Sequence, residues 1–301
     1  MSDVQQPLVW VVIPTWNRKA DLLECLSSLA KSSYDAVEVL VVDNASEDGT
    51  VSAVNSEFPS IHVLALSRNR GATGASNCGF LYALDRGADF VFRLDSDAIV
   101  HTDTLLHLVR AAQALPRAGV LVPKIYFADR PNVLWSAGAK ANRWHFGATG
   151  TKRGQLDSDT SGEIQPIDYA WSTGVLIRRD VLLAADGFDE DFFVYFEEVD
   201  FCIRVRGKGF SLYLVPDALL WHKVGSEANS DWTAYQWNRS KMLLYRKHSK
   251  GIHRLGLILY AVAYALFRSV WPRSGRGNRG PLRQALRGLV AGLTYPVGKS
   301  E

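Results

Sequence analysis

Two carboxylates one residue apart follow a short apolar segment in the first half of the chain. Asp95 and Asp97 flank Ser96 directly after the strand-like run Phe90–Leu94. Both side chains can reach the same side of a sheet edge once the chain bends after the strand. Carboxylate oxygens are hard ligands that suit Mg²⁺ or Mn²⁺ shared with substrate phosphates. A solvated Asp-rich turn has the same pattern, so the triplet alone leaves both interpretations open.

Three further polar segments stand where predicted strands end or predicted helices begin. Pro14–Arg18 follows the first strand. Asn17 could cap the next helix there, and free amides at a helix start attract phosphate. Asp43 ends the second strand, where a carboxylate can accept hydrogen bonds from a nucleobase or a ribose. The small-residue segment Asn69–Asn77 opens a helix, and close helix–sheet packing explains it as well as ligand contact does.

Acidic and aromatic residues alternate between Phe188 and Asp200 in the second half of the chain. A carboxylate beside aromatic surface is partly desolvated, which raises its pKa and makes it a useful general base. The alternative is an acid placed at a helix start by the helix dipole, which describes Glu190 better than Glu198. His222 follows a later predicted strand. A lone histidine is usually structural, although an imidazole can complete an aspartate metal site.

The composition is that of a globular protein, with 301 residues of which 47% are hydrophobic and 22% charged. These values exclude a disordered chain, a collagen-like chain and a small disulfide scaffold. Three cysteines outside any metal-ligand spacing predict core residues in a reducing compartment. The polar start predicts no signal peptide, and no segment reaches the roughly 20 apolar residues of a membrane span. We therefore expect a cytoplasmic protein, in solution or on a membrane face.

Charge divides the chain into an acidic body and a basic tail. The net charge is +3, yet residues 241–301 hold twelve Lys or Arg against one acid, and residues 1–240 carry a net −8. Such asymmetry indicates an anionic surface beside the tail, either nucleic acid or lipid headgroups. The apolar run Leu255–Phe267 and the amphipathic Leu282–Leu293, joined by the linker Ser274–Gly280, suit helices lying in a membrane interface. Packing on the domain, or on a second copy of the chain in a homo-oligomer, is the alternative.

Apolar periodicity predicts alternating strands and helices in the first half. The predicted strands are Leu8–Ile13, Val37–Val42, Ile61–Leu66, Phe90–Leu94 and Val120–Val122, and the predicted helices are Lys19–Ala30, a short one from about Thr50, Thr73–Arg86 and Thr102–Ala114. Short antiparallel strands are expected over Tyr126–Tyr169, followed by an ordered segment Val175–Ala185, a helix Val199–Lys208 and a strand Phe210–Val215. The pattern predicts an α/β fold with a mostly parallel sheet, helices on both faces and ligands at the carboxyl ends of the strands.

Together these segments resemble the family 2 glycosyltransferases with the GT-A fold. The resemblance runs from Leu8 to Lys223 and rests on the stretch Asn69–Asn77 and on VVIPTWNR, VVDNASEDGT, DSD, WSTG and GFDEDFFVYFEEVDFCIRVRGKGF. The later half is most similar to bacterial rhamnosyltransferase-type and galactofuranosyltransferase-type members. The implied organisation is a Rossmann-like GT-A domain over residues 1–240, with a nucleotide-binding half (1–125) and an acceptor and catalytic half (126–240). Residues 241–301 would be a basic, amphipathic helical extension.

The resemblance implies a donor site and a metal site. The donor site would be formed by Pro14, Thr15, Asn17, Arg18, Asp43, Asn44, Arg70, Asn77, Asp95 and Ser96. Asp95 and Asp97 would hold Mn²⁺ or Mg²⁺ on the diphosphate of the nucleotide sugar, with His222 as a further ligand.

The resemblance also implies an acceptor pocket and a catalytic base. Trp171 and Gly174 would border the pocket, and Glu198 would deprotonate the acceptor hydroxyl. Many relatives carry Glu-Asp where this chain has Glu197-Glu198, and the longer side chain leaves Glu197 and Asp200 as alternative bases.

The implied activity is inverting transfer from a UDP- or dTDP-sugar to a glycan or polyprenyl-linked acceptor in cell-surface polysaccharide synthesis. Three alternatives are less well supported by the residues. A sugar nucleotidyltransferase would need a glycine-rich, Arg-containing loop where Pro14–Arg18 stands. A processive synthase would carry a QxxRW signature, but Ser240 stands where its Trp belongs. A nucleic-acid-binding module would use the tail aromatics, which lie in an apolar run that packing or lipid contact explains better, so we expect no nucleic-acid partner.

Overall fold

The computed structural model describes residues 6–142, 144–149, 152–158, 162–223, 231–270 and 282–296. Strands and helices alternate in the first part as β1 (Val9–Thr15), α1 (Lys19–Leu29), β2 (Val37–Asp43), α2 (Thr50–Glu57), β3 (His62–Ala65), α3 (Gly71–Asp85), β4 (Phe90–Leu94), β5 (Ala98–Val100) and α4 (Thr104–Ala114). The second part contains β6 (Ala118–Phe127), β7 (Arg130–Ser136), β8 (Lys140–Ala141), β9 (Ala148–Thr149), β10 (Gln165–Ile167), β11 (Gly174–Arg178), α5 (Arg179–Ala185), α6 (Glu197–Gly207) and β12 (Ser211–His222). Three helices follow: α7 (Asp231–His248), α8 (Gly251–Val270) and α9 (Leu282–Thr294).

One sheet organises the molecule, with strand order β10-β12-β6-β11-β4-β1-β2-β3. The strands β4, β1, β2 and β3 are parallel, as predicted for the first half. The strand β11 is antiparallel to both neighbours, β4 and β6, so the whole sheet is mixed. The predicted α/β fold with flanking helices is confirmed. The carboxyl ends of the parallel strands meet at one edge, which is where such sheets bind ligands.

Apolar side chains cover both faces of this sheet. Every residue of β1 is buried, as expected for a strand between two parallel neighbours. On one face α1 and α4 pack through residues such as Leu22 and Leu108, and on the other α3 and α6 pack through Phe80 and Phe201. The sheet is thus a rigid platform for the loops at its edge.

The strand β12 is longer than the sequence predicted, because Pro216 does not end it. The register of β12 against β6 shifts between Val215 and Leu219, so the proline lies in an irregularity of the ladder. Proline is tolerated at such bulges because no ladder hydrogen bond is required of it there. The strand then continues to His222, which carries that side chain to the ligand-binding edge of the sheet.

The C-terminal helices pack on one another and on the domain. On α9, Ala285 and Leu289 are buried in a cluster with side chains of α7 and α8. At Gly288 an added Cβ would lie 2.3 Å from the Tyr235 carbonyl oxygen, so the two helices approach closely there. One part of the predicted apolar face of α9 therefore packs on protein. The predicted linker Ser274–Gly280 lies outside the described residues.

Two further observations concern the tail. The helix α7, which the sequence did not predict, runs through the proposed boundary at residue 240, and the division of the chain into 1–240 and 241–301 stays a prediction. Among the helices of the described residues, none combines the length and the apolar character needed to cross a membrane.

Candidate functional site

Asp95, Asp97 and His222 converge at the carboxyl edge of the sheet. One ligand atom of each residue lies within 4.8 Å of those of the other two. Asp95 and Asp97 form the turn between β4 and β5, and the pairing of His222 with Ala98 places the imidazole beside that turn. The His222 Nε2 atom lies 3.2 Å from Asp97 Oδ1. The structure therefore brings together the three residues of the predicted metal site.

The electrostatics of this trio fit a cation site. Burial alone would lower the pKa of His222, but the hydrogen bond and charge of Asp97, with the charge of Asp95, hold it above its usual value. Burial would raise the pKa of Asp95, yet the charges of Arg93 and His222 hold it low. The Nδ1 atom of His222 is buried with no hydrogen-bond partner among the described residues. Two carboxylates and an imidazole are a donor set that Mn²⁺ accepts, so the residues fit the implied metal.

Arg93 is a buried cation of the site that sequence reasoning missed. It lies in β4, and its guanidinium donates hydrogen bonds to the Asp95 carboxylate, to the Ser172 carbonyl and, at 3.4 Å, to the Ser76 hydroxyl. The side chain is only 4% exposed. A buried charge requires such partners. A single arginine within the apolar strand FVFRL was the available sequence signal.

Glu197 and Glu198 form a pair of acids at the start of α6, where Glu197 is buried and Glu198 is half-buried. Tyr195 and Phe196 directly precede them with φ values of 65° and 67°, a conformation that costs non-glycine residues about 1–3 kcal/mol each and clusters at functional sites. The Oε2 atom of each glutamate is buried with no hydrogen-bond partner among the described residues. Burial raises the pKa of both, and the charge of Glu197 raises that of Glu198 further, well above its usual value, against the opposing charge of Arg93. Such a pair can take a proton from a substrate hydroxyl.

Asp200 lies in the same helix but belongs to a separate network. Its carboxylate accepts a hydrogen bond from Arg204 Nε at 2.7 Å and pairs with His248 Nε2 at 2.7 Å. Burial alone would raise the pKa of Asp200, but these two partners hold it below its usual value. The structure thus engages Asp200 in one bond within α6 and one to α7, and leaves the glutamates as the candidate bases.

The helix α7 is also fastened to the segment that leads into Glu197. Ser240 Oγ donates a hydrogen bond to the Val194 carbonyl at 2.8 Å, and Lys247 Nζ lies 2.8 Å from Asp191 Oδ2. The C-terminal helices therefore support the position of the paired acids.

A second group of polar side chains lies where β1 and β2 end side by side. Thr15 pairs with Asp43 in the register of these parallel strands. Thr15 Oγ1 and Asp43 Oδ1 are both buried, and neither has a hydrogen-bond partner among the described residues. Asn17, with φ of 51°, holds the loop by accepting from the Glu47 amide at 2.8 Å. These groups lie where the sequence predicted a nucleotide.

Arg18 lies between this group of side chains and the predicted metal site. Its guanidinium lies 3.2 Å from Asp21 and 3.8 Å from Asp97. Pro14 lies within the buried β1, and Ser96 is buried in the turn between the two aspartates. The structure therefore places these three predicted residues at the same edge.

Three predicted donor residues are used to brace loops. Asn44 donates to Asn69 Oδ1 at 2.9 Å and accepts from the Arg70 amide at 2.8 Å. The Arg70 guanidinium is paired with Glu190 at 2.7 Å. Asn77 exchanges hydrogen bonds with the Phe188 backbone and donates to Glu190 at 3.1 Å, which ties α3 to the acidic–aromatic segment. Their side chains are thus engaged with protein in this structure.

Aromatic rings form the wall beside His222. The Trp171 and Trp135 ring centres lie 5.6 Å apart, and Trp135 meets the His222 ring edge-on at 5.0 Å. The indole nitrogens of both tryptophans are buried with no hydrogen-bond partner among the described residues. Gly174 begins β11, where an added Cβ would lie 2.7 Å from a Leu220 methyl group. Trp135 was missed because a tryptophan in a strand gives no local sign of its partners.

Comparisons with known proteins identify the family of the chain. A family model described as "Glycosyl transferase family 2" matches residues 10–182. The dTDP-rhamnosyl transferase RfbF of Shigella flexneri is 23% identical over 73% of this chain and 70% of its own length. An N-acetylglucosaminyl-diphospho-decaprenol L-rhamnosyltransferase of Mycobacterium tuberculosis is 28% identical over 72% of this chain and 76% of its own. Galactofuranosyltransferase GlfT1 of the same species is 25% identical over 73% of this chain and 71% of its own.

Solved structures share the fold. A mannosyltransferase from Pyrobaculum calidifontis, in complex with GDP-Man and Mn²⁺, superposes with a TM-score of 0.59 at 17% identity, covering 97% of this chain and 88% of its own. S. aureus TarS gives a TM-score of 0.54 at 19% identity over 89% of this chain. The chain spans only 45% of that TarS chain, or about half of it. These likenesses concern the fold alone, and the predicted GT-A architecture is confirmed.

Proposed function

The chain belongs to glycosyl transferase family 2, and from that premise we propose inverting, metal-dependent transfer of a sugar from a UDP or dTDP donor. The acceptor would be a hydroxyl of a glycan or polyprenyl-linked sugar in cell-surface polysaccharide synthesis. The chain is a glycosyltransferase, and its resemblance to the rhamnosyltransferase-type and galactofuranosyltransferase-type branch is confirmed. The observation that carries the finer proposal is the convergence of Asp95, Asp97 and His222. The paired acids Glu197 and Glu198 lie near enough that the charge of Asp95, after burial, helps to raise the pKa of both.

The donor would lie along the edge of the sheet. Thr15 and Asp43 offer buried oxygens for the base and ribose, because both lie side by side with unused hydrogen-bonding capacity. Asp95, Asp97 and His222 would hold Mn²⁺ or Mg²⁺. When bound, the cation neutralises the charge of the departing nucleoside diphosphate.

The acceptor hydroxyl would be deprotonated by Glu198, with Glu197 as the alternative. The pKa of each carboxyl group is raised, so either one can hold a proton taken from the acceptor hydroxyl. The positive charge of Arg93 offsets the negative charges of Asp95, Glu197 and Glu198, and it opposes the rise that burial causes in the pKa of each. Trp171 would border the acceptor sugar. Inversion follows from attack on the face opposite the leaving group, as the family resemblance implies.

This proposal is tested by product analysis. The protein would be incubated with UDP- and dTDP-sugars, including dTDP-rhamnose, and with N-acetylglucosamine linked to a short polyprenyl diphosphate, with Mn²⁺ or with a chelator. A relative named for an N-acetylglucosaminyl-diphospho-decaprenol acceptor motivates that choice. We expect metal-dependent release of UDP or dTDP and a product of inverted anomeric configuration. Donor consumption unaffected by chelation, or a product of retained configuration, would contradict the proposal.

We further propose that the tail places the enzyme on the cytoplasmic face of an anionic membrane. The segment Leu255–Phe267 has no charged residue, and its outward side chains are exposed, including Leu259 at 61% and Phe267 at 62%. Nearby on the same helix Ile252 is 89% exposed. An apolar face with basic flanks binds in the plane of an interface, and each Lys or Arg near anionic lipid contributes about 1 kcal/mol.

The membrane proposal is tested with vesicles. We expect sedimentation with phosphatidylglycerol-containing vesicles and little with phosphatidylcholine alone. Leu259→Glu should weaken this binding at least about 10-fold, because it places a charge in the apolar face. Leu81→Glu is the matched control, since Leu81 is 69% exposed on α3. Equal vesicle binding by both variants would exclude the α8 face as the membrane-binding surface.

A further inference from the structure

The segment 194–196, which leads directly into the paired acids, is held by side chains of α7. The Trp237 ring packs against the rings of Phe196 and Tyr195, with ring centres 4.7 Å and 5.4 Å apart. Ser240 is fully buried, and its hydroxyl donates a hydrogen bond to the Val194 carbonyl at 2.8 Å. Residues three apart in a helix lie on the same face, so one face of α7 contacts all three residues of the segment.

The residues of this segment do not favour the backbone conformation that they have. Tyr195 and Phe196 have φ values of 65° and 67°, a region that favours glycine. Such residues keep this conformation only where their surroundings fix it. Phe196 also has no side-chain oxygen that could cap α6. Because Glu197 begins α6 directly after it, a change in the Phe196 backbone would redirect both acids.

A second layer of contacts holds α7 itself. Arg239 Nη1 donates to the Asp191 carbonyl at 3.1 Å, and the Arg239 guanidinium carbon lies 4.4 Å from the ring centre of Tyr295, just after α9. On α9, a Cβ added at Gly292 would collide with the Arg239 carbonyl oxygen, so the two helices are in close contact there. The contacts therefore run from α9 through α7 to the residues that precede Glu197.

We propose that Trp237 and Ser240 are positioning residues, which hold the segment 194–196 in its left-handed conformation and thereby aim Glu197 and Glu198 at the acceptor hydroxyl. The inference rests on the proposed function and deepens it, because it makes a C-terminal helix necessary for proton transfer. A misplacement of about 1 Å can lower a rate about 10²-fold. Loosening the segment would also admit water to the two acids, whose pKa is raised by burial.

The experiment compares variants of the full chain at two tryptophans of α7. Trp237 is 40% exposed, so Trp237→Leu should remain folded in thermal unfolding, and Trp237→Phe keeps an aromatic ring. The matched control is Trp232→Leu. Trp232 is 49% exposed on the same helix, but it packs on Phe193, outside the segment 194–196. Ser240→Ala removes the hydroxyl, and Ser240→Thr keeps it.

Two readouts are measured on each variant. Hydrogen–deuterium exchange of the peptide that contains residues 195–198 reports how firmly the segment is held. The transfer rate is measured as a function of pH, with the donor and acceptor that the product analysis identifies.

Trp237→Leu and Ser240→Ala should exchange faster over residues 195–198 and transfer sugar about 10-fold or more slowly, with an unchanged donor KM. Trp237→Phe and Ser240→Thr should lie between these variants and the unmodified chain. Water admitted to the acids lowers their raised pKa, so the transfer rate should rise at a lower pH than in the unmodified chain. A purely structural role would lower stability and leave this pH dependence in place.

Three outcomes would overturn the inference. If the unmodified chain transfers sugar but Trp237→Leu and Ser240→Ala match Trp232→Leu in exchange, rate and pH dependence, the positioning role is wrong and the proposed function stands. If exchange increases while the rate and its pH dependence stay unchanged, α7 supports only the fold. If the unmodified chain transfers no sugar from any nucleotide donor, the proposed function itself fails, and the inference fails with it.

Discussion

His222 Nε2 lies 3.2 Å from Asp97 Oδ1, although the two residues are far apart in the sequence. The contact exists because β12 continues through the irregularity at Pro216 and pairs His222 with Ala98. A strand that stopped at the proline would leave the two aspartates without an imidazole. The same extension places His222 against Trp135, so one strand completes both the proposed metal site and its aromatic wall.

Asp97→Ala should abolish the effect of Mn²⁺ on nucleotide binding. The substitution removes one ligand of the trio and the partner of His222, while Thr15 and Asp43 still offer oxygens to the base and ribose. Calorimetric titration of UDP and dTDP, with and without Mn²⁺, measures this. Asp85→Ala, which removes an exposed carboxylate at the end of α3, should respond like the unmodified chain. An unchanged Mn²⁺ response in Asp97→Ala would remove this residue from the metal site.

Glu198→Gln should keep donor affinity and lose about 10²- to 10⁴-fold in transfer rate, the usual contribution of a positioned base. The base must be ionised to accept a proton, so the transfer rate should rise with pH as Glu198 loses its own. Because the pKa of Glu198 is raised well above its usual value, this rise should occur at higher pH than for an ordinary glutamate. Profiles of transfer rate against pH for the unmodified chain, Glu198→Gln and Glu197→Gln measure this rise. Full activity of Glu198→Gln would assign the role to Glu197.

Asp200→Asn should destabilise the fold by about 3 kcal/mol at neutral pH, because it leaves Arg204 and His248 without their buried anion. The pKa of Asp200 is lower in the folded state than unfolded, so its contribution is present above the unfolded value and is lost as pH falls through the folded one. Urea unfolding should therefore show the difference at neutral pH and its loss in strong acid, below the ordinary pKa range of an aspartate. Asp217→Asn, on an exposed position of β12, should change little. Equal free energies of unfolding for both variants would contradict a stabilising role of the contacts of Asp200 with Arg204 and His248.

Gly288→Ala should lower the free energy of unfolding by about 1–3 kcal/mol, since its Cβ would meet the Tyr235 carbonyl oxygen at 2.3 Å. Gly256→Ala is the matched control in α8. Apart from its own turn of helix, no atom of the described residues lies within 4 Å of a Cβ there, so better helix propensity should raise stability by about 0.5–1 kcal/mol. Opposite signs in thermal or urea unfolding support the close packing of α9 on α7. A stabilised Gly288→Ala would mean that these helices are not packed in this way.

Local patterns of apolar and polar residues predicted the strands and helices of the first half of the chain. The strand Phe90–Leu94 was predicted with the bounds that the structure has, because a short, mostly apolar run between Asp89 and Asp95 is a local signal. Trp135 could not be found in this way. Its position beside His222 depends on strand pairing, and nothing in its immediate sequence reports that distant partner.

The direct test of the central claim is a thermal unfolding series with UDP, dTDP, GDP and CDP, each with and without Mn²⁺. A ligand at 100 times its dissociation constant stabilises the folded state by about 2.7 kcal/mol, which is a readable shift. We predict stabilisation by UDP or dTDP that requires Mn²⁺ and disappears in Asp97→Ala. Absence of a shift with every nucleotide, in protein shown to be folded, would contradict a donor site at Asp95 and Asp97.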